Sequence, residues 1–224
     1  MQSVFTDCPH REKLGWLEQD HLCGPGLLYN YDLTGFLPQT LQNIADAQHA
    51  NGAVPTTAPE YVVFEGPGMD AFAESPEWGC TFVVLPFMYY ETYGDDSLIR
   101  KYYNGMRRYI DYMTTRANDG IVSFGLGDWY DYGDFRAGFS RNTPVPLVAT
   151  AHYYMVVRYL VEAARMLDNR YDVAYYTHLG EEINKAFHRE FYHKDTRQYG
   201  TGSQCSNALP LFLGMVPAED KQAV

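Results

Sequence analysis

The densest run of groups able to do chemistry is TDCPHREKLGWLEQDHL, from Thr6 to Leu22, which crowds Asp7, His10, Arg11, Glu12, Trp16, Glu18 and Asp20 into one short segment. If the stretch after Pro9 is helical, Glu12 and Trp16 stand at i and i+4 on one face, and a carboxyl group sits beside an aromatic wall. An apolar wall disfavours the charged carboxylate and raises its pKa, as a general acid working near neutrality requires. Arg11 opposes that rise unless another carboxylate, such as Asp7, engages it. A proton donor beside a flat apolar surface is an arrangement suited to a sugar. The same residues also read as the solvated start of an amphipathic helix, and the local pattern leaves both readings open.

A second cluster, DWYDYGD, surrounds Trp129 with Asp128, Asp131 and Asp134 in a stretch between helices. Aromatic faces suit the CH-rich side of a sugar and carboxylates accept its hydroxyl hydrogens. The acidic trio lacks the loop spacing of a calcium motif. Trp78 follows Glu77 at the start of an apolar helix, where pattern alone favours a core tryptophan. His152, beside Tyr153 and Tyr154, reads as a satisfied structural histidine.

The elements that must position these groups are helices. After Asp32, Leu37, Leu41, Ile44 and Ala45 share a face, Pro38 suits a first turn, and Asn51-Gly52 supplies a stop. Prolines and glycines from Gly52 to Pro76 forbid a long helix there. Thr81 to Tyr93 reads as a buried helix kinked at Pro86, and Asp96 to Arg116 as an amphipathic one, with Gly94-Asp95 between them. Pro146 to Leu167 and Asp172 to Phe191 form another pair around Asp168-Asn169. Short links force antiparallel neighbours, whereas the long stretches Gly52 to Pro76 and Asp119 to Thr143 are rich in aromatic and acidic residues. This alternation predicts an all-α fold, an α/α barrel with tight turns at one end and site-building loops at the other. A helical-repeat solenoid would also alternate helices, but no fixed-period repeat is present.

Composition narrows the partners. With 224 residues, 46% of them apolar and 16% aromatic, the chain can bury a sizeable core. Its formal charge of −11 repels phosphate backbones and argues against nucleic acid or an anionic membrane. Cys8, Cys23, Cys80 and Cys205 lie far apart without a CxxC pair, so neither a zinc cage nor a dense disulfide framework is indicated. The N-terminus lacks a signal-peptide layout, which says little if the gene starts upstream.

The segment from Thr6 to Leu22 resembles the signature of the α-L-rhamnosidases of glycoside hydrolase family 78: an Asp-Cys-Pro-x-Arg run, an acidic residue, a Gly-Trp and further acidic residues. The resemblance continues in order through GAVPTTAPEYVVFEG, PEWGCTFVVLPF, GLGDWYDYG, LVATAHYYMVVRYL and SNALPLFLGMVP, nearly the whole chain. It implies an (α/α)6 barrel, of which residues 1–224 form the N-terminal and middle part, truncated before the domain is complete. It also implies hydrolysis of a terminal α-L-rhamnoside with inversion, no cofactor and no metal. By it Glu12 is the general acid, Asp7 and Arg11 belong to the sugar-binding floor, and Trp16, Trp78 and Trp129 wall the deoxy sugar, with Asp128 beside them. One position departs from the pattern. Where the family often has an Asp three residues after the signature Trp, this chain has Gln19, flanked by Glu18 and Asp20; Asp20 is counted among the substrate contacts.

Inversion needs a second carboxylate about 6.5 to 9.5 Å from the first. The resemblance implies a base beyond Val224, so residues 1–224 alone are expected to lack turnover and to need the remainder of their own catalytic domain. Glu60, Glu65, Glu74 and Asp128 are the alternatives within the chain. The expected ligand is a rhamnose-containing glycoside or polysaccharide, a substrate class that favours a periplasmic or extracellular address. Another α/α-barrel carbohydrate enzyme and a non-catalytic carbohydrate-binding module are the rival readings.

Overall fold

The computed structural model of the chain describes residues 4–6 and 8–224. Asp7 lies outside the described residues. The helices are α1 (Glu18–Leu22), α2 (Gly24–Asn30), α3 (Phe36–Ala47), α4 (Asp70–Ala73), α5 (Pro76–Gly79), α6 (Thr81–Tyr93) and α7 (Ser97–Arg116). Strands β1 (Asp131–Gly133) and β2 (Phe135–Gly138) precede α8 (Val145–Met166) and α9 (Arg170–Phe191). Strands β3 (Tyr192–His193) and β4 (Gln198–Tyr199) then lead to α10 (Gln204–Phe212). Both strand pairs are short antiparallel ribbons.

Helical hairpins organise these elements in the manner of an (α/α)6 barrel. In α6 the apolar run Phe82 to Leu85 is buried on every side, because α1, α3, α7 and α8 all pack around it. Helix α7 is amphipathic instead: Ile99, Tyr102, Tyr103, Met106, Tyr109, Ile110 and Met113 recur at spacings of three and four and are all buried. Gly94, at φ +71°, ends α6 in the left-handed conformation that L side chains resist, and its amide returns to Tyr90 O. The helix continues through Pro86. At the next tight turn, Asn169 caps α9 by accepting from the Asp172 amide.

A largely buried polar network joins α7 to α9. Tyr103 donates to Asp172 Oδ2 at 2.7 Å, Asn169 Nδ2 to the same oxygen at 2.8 Å, and Arg107 Nε lies 3.4 Å from it. Nearby, Tyr176 donates to Asp111 Oδ1 at 3.1 Å.

The long links differ from a plain site-building loop. Residues 52–58 are buried and run like a strand against the first segment: Leu17 N–H donates to Thr56 O and Ala58 N–H to Gly15 O, both at 2.9 Å. The Thr56 amide reaches Ala73 O at 3.1 Å, which ties α4 to the same layer. Only from Tyr61 to Gly68 does this link become largely exposed. The second link folds back as the β1–β2 ribbon, held by Asp131, which accepts from the amides of Tyr132, Arg141 and Asn142. Those donors hold the Asp131 carboxyl below its usual pKa, the Arg141 amide contributing most.

Candidate active site

The stretch after Pro9 is not a helix. Residues 9–12 form turns, Lys13 takes φ +59°, and Trp16 pairs with Thr57 in an isolated antiparallel bridge; the helix begins only at Glu18. Glu12 and Trp16 therefore meet not through helical spacing but because the turn and the bridge bring both to one cavity.

That cavity has a volume of about 200 Å³. One side is supplied by the first segment, through Arg11, Glu12, Trp16, Glu18 and Gln19. The other comes from Phe72 on α4, Trp78 on α5, and Leu126, Trp129 and Tyr130 from the link before α8. The aromatic side is contiguous: Trp16 stacks on Phe64 at 5.4 Å, Phe72 meets Trp129 edge-on at 5.4 Å, and Trp129 meets Phe139 at 5.6 Å. Trp78 is 3% exposed and belongs to the hydrophobic core, and it also lines the cavity.

The structure distributes the polar candidates unequally. Arg11 lies 3.6 Å from Glu12 Oε1 and donates to Cys8 Sγ at 2.8 Å. The Glu12 carboxyl is held below its ordinary pKa, first by a hydrogen bond involving Cys8 and further by the Arg11 charge. The expected rise is absent because the side chain is exposed at the mouth of the cavity, where an apolar wall strips away little of its water. Asp20 is 4% exposed and does not line the cavity; Glu18 and Gln19 do. Burial raises the Asp20 carboxyl well above the usual range. Asp128, next to Trp129, accepts from Thr143 Oγ1 at 3.3 Å and is likewise not a lining residue.

Two histidines with hydrogen-bond partners, His21 and His152, do not line the cavity. His21 Nδ1 is 2.6 Å from Thr81 Oγ1, and burial together with His152 depresses its pKa to about 3. His152 Nδ1 is 2.8 Å from Val148 O. Among the described residues no group of His, Cys, Asp and Glu side chains has an arrangement that would hold a metal ion, and no helix is long and apolar enough to cross a membrane.

Sequence reasoning missed Phe72, Leu126, Tyr130 and the place of Gln19. Phe72 lay in a stretch whose glycines and prolines signalled only a loop; its neighbour Trp16 is distant in sequence, and no local periodicity links the two.

Comparison with known proteins adds three findings. The family model of the bacterial alpha-L-rhamnosidase six-hairpin glycosidase domain matches residues 1–224. An alpha-L-rhamnosidase of Formosa agariphila is 29% identical over the whole of this chain, which covers 24% of that protein, and one of Streptomyces avermitilis is 29% identical over 96% of the chain, covering 19% of it. Among solved structures, the alpha-L-rhamnosidase from Dictyoglumus thermophilum superposes with a TM-score of 0.89 at 29% identity, over all of this chain and 25% of that one. The Streptomyces avermitilis enzyme in complex with L-rhamnose gives 0.84 at 26% identity, over 98% of this chain and 20% of its own. The chain thus spans about a quarter of the length of the curated relatives it matches.

Proposed function

Because the chain belongs to the bacterial alpha-L-rhamnosidase six-hairpin glycosidase domain family, we propose that it contributes the acid-bearing side of a site that hydrolyses terminal α-L-rhamnosides with inversion. On this reading residues 1–224 are the N-terminal and middle part of a barrel catalytic domain. The observation that carries it is that Glu12 and Arg11 line one cavity together with Trp16, Trp78 and Trp129. A 6-deoxy sugar presents a methyl group and a CH-rich face to such walls, and its hydroxyls to the charged rim. The sugar bound by the Streptomyces relative is L-rhamnose.

Glu12 acts as general acid, protonating the oxygen of the departing aglycone. Its carboxyl starts from a low pKa, so a seated substrate must displace water from it before it can hold a proton near neutrality; the aglycone covering the cavity mouth does this. A second carboxylate activates water on the opposite face of the ring. We assign that base to a residue outside 1–224, supported by the engagement of the internal alternatives. Glu60 pairs with His49 at 3.0 Å, Glu74 pairs with Arg116 at 2.6 Å and accepts from Tyr112, and Asp128 is bound by Thr143. Glu65 lies on the exposed part of the first link and does not line the cavity. No cofactor enters this chemistry. Asp7 and Arg11 bind the sugar.

The role of Glu12 is tested by leaving-group dependence in the full-length gene product. Protonation matters most when the departing alkoxide is a poor leaving group. Glu12→Gln is expected to nearly abolish cleavage of rhamnosides with alkyl or sugar aglycones and to spare far more activity on a nitrophenyl rhamnoside. Loss of a base would depress both substrates alike, so equal losses would refute the acid assignment.

A further inference from the structure

The two tryptophan walls come from separate elements, Trp78 from α5 and Trp129 from the link before α8, and what joins them is a buried carboxyl that lies outside the cavity lining. Glu77 is 1% exposed. Ser75 Oγ donates to Glu77 Oε2 and itself accepts the Leu126 amide at 2.8 Å. The backbone of the link lies directly on this pair. A Cβ built on Gly125, which sits at φ +119°, would fall 2.8 Å from Ser75 Oγ and 2.9 Å from Glu77 Oε2. No side chain fits between them. Glu77 Oε1 is buried with no hydrogen-bond partner among the described residues.

We propose that Glu77 is a positioning residue: with Ser75 it clips residues 125–127 to the start of α5 and so fixes the spacing between Trp78 and Trp129 across one sugar ring. This rests on the reading of the cavity as a rhamnoside site. A wall that contacts ground state and transition state alike contributes uniform binding, so loosening it raises KM and leaves kcat nearly unchanged.

The test measures amide exchange of the peptide spanning residues 124–130 and rhamnoside kinetics in the full-length protein, for the wild type, Glu77→Ala, Glu77→Gln and Ser75→Ala. Glu77→Ala and Ser75→Ala are expected to accelerate exchange of the Leu126 amide and to raise KM about tenfold, with kcat changed far less. Glu77→Gln, which can still meet Ser75, is expected to restore both. Ser75→Ala keeps the test decisive if Glu77→Ala does not fold. Unaltered exchange in the alanine variants overturns the proposal, as does faster exchange with unchanged KM. A glutamine variant as impaired as the alanine one also overturns it, because the carboxyl would then be acting chemically. If the wild type itself cleaves no rhamnoside, the functional reading falls, and the exchange measurement alone decides whether the clip exists.

Discussion

Asp172 and Glu77 are both buried carboxyls at helix starts, one at the tight-turn end of the hairpins and one at the loop end, and their surroundings treat them differently. Asp172 is 2% exposed, yet Tyr103, Asn169 and its own amide are hydrogen-bonded within one cluster, with Arg107 at its edge. At the other end Glu77 has Ser75 on one oxygen and no partner on the other, and burial pushes its pKa up to about 7. The tight end closes a helix pair around a carboxyl well supplied with donors, although Arg107 Nε beside it makes no hydrogen bond. At the loop end an under-answered carboxyl persists where two walls of a cavity have to be held apart by a set distance.

The largest expected effect removes the answered carboxyl. Asp172→Ala strands the Tyr103 hydroxyl and the Arg107 charge and takes away a partner of the α9 cap, which should cost about 3 kcal/mol of stability. Chemical denaturation measures it, and KM of the folded fraction should stay unchanged; a shift in KM would join the two ends into one functional unit.

A smaller effect is expected from the other carboxyl through pH. The folded-state pKa of Glu77, about 7, lies above its ordinary value of 4.5. The folded protein therefore holds this proton more tightly than the unfolded chain, and stability from this group falls as pH rises from about 4.5 to 7, then levels. Glu77→Gln has no such titration. Its stability relative to the wild type should climb by about 2 kcal/mol between pH 5 and pH 8. Parallel stability curves for the two proteins would show that the loop end satisfies its carboxyl after all.

The smallest effect concerns the wall itself. Trp129→Ala is expected to weaken rhamnose binding by about 1–2 kcal/mol, the scale of one aromatic contact with its burial, read by titration calorimetry on the full-length protein. Unchanged affinity together with a large drop in thermal stability would place Trp129 with the core, on the same footing as Asp172.

How much of this was legible in the sequence follows the range of the interactions. Helix α6 begins and ends where the apolar run and Gly94 put it, and Asp96 marks the start of α7, because those signals act within a turn or two; α9 starts at Arg170, ahead of the expected Asp172, because Asn169 caps it. The α/α arrangement followed from link lengths. The error at Pro9 has a different origin: the positive φ of Lys13 and the bridge from Trp16 to Thr57 depend on a partner far along the chain, which no local period records. The β1–β2 ribbon was read as plain loop because its strands are too short and too exposed to show alternation. Of the residues named by motif resemblance, Glu12, Arg11 and the three tryptophans line the cavity. It counted Asp20 and Asp128 with them, and the structure turns these to burial and to Thr143. Phe72 and Tyr130 complete the walls without any signature of their own.

The link between α3 and α5 has its first part pinned to the signature segment and its last part tied through Ala73, while the stretch from Tyr61 to Gly68 is exposed apart from the half-buried Phe64, which stacks on Trp16. Lengthening a surface loop whose ends are already fixed adds little closure entropy, on the order of 0.6 kcal/mol for each doubling. Variation in this stretch is thereby uncoupled from the scaffold. With Phe64 retained, insertions or randomised libraries in this stretch are expected to leave Glu12 and the tryptophans of the cavity as they are.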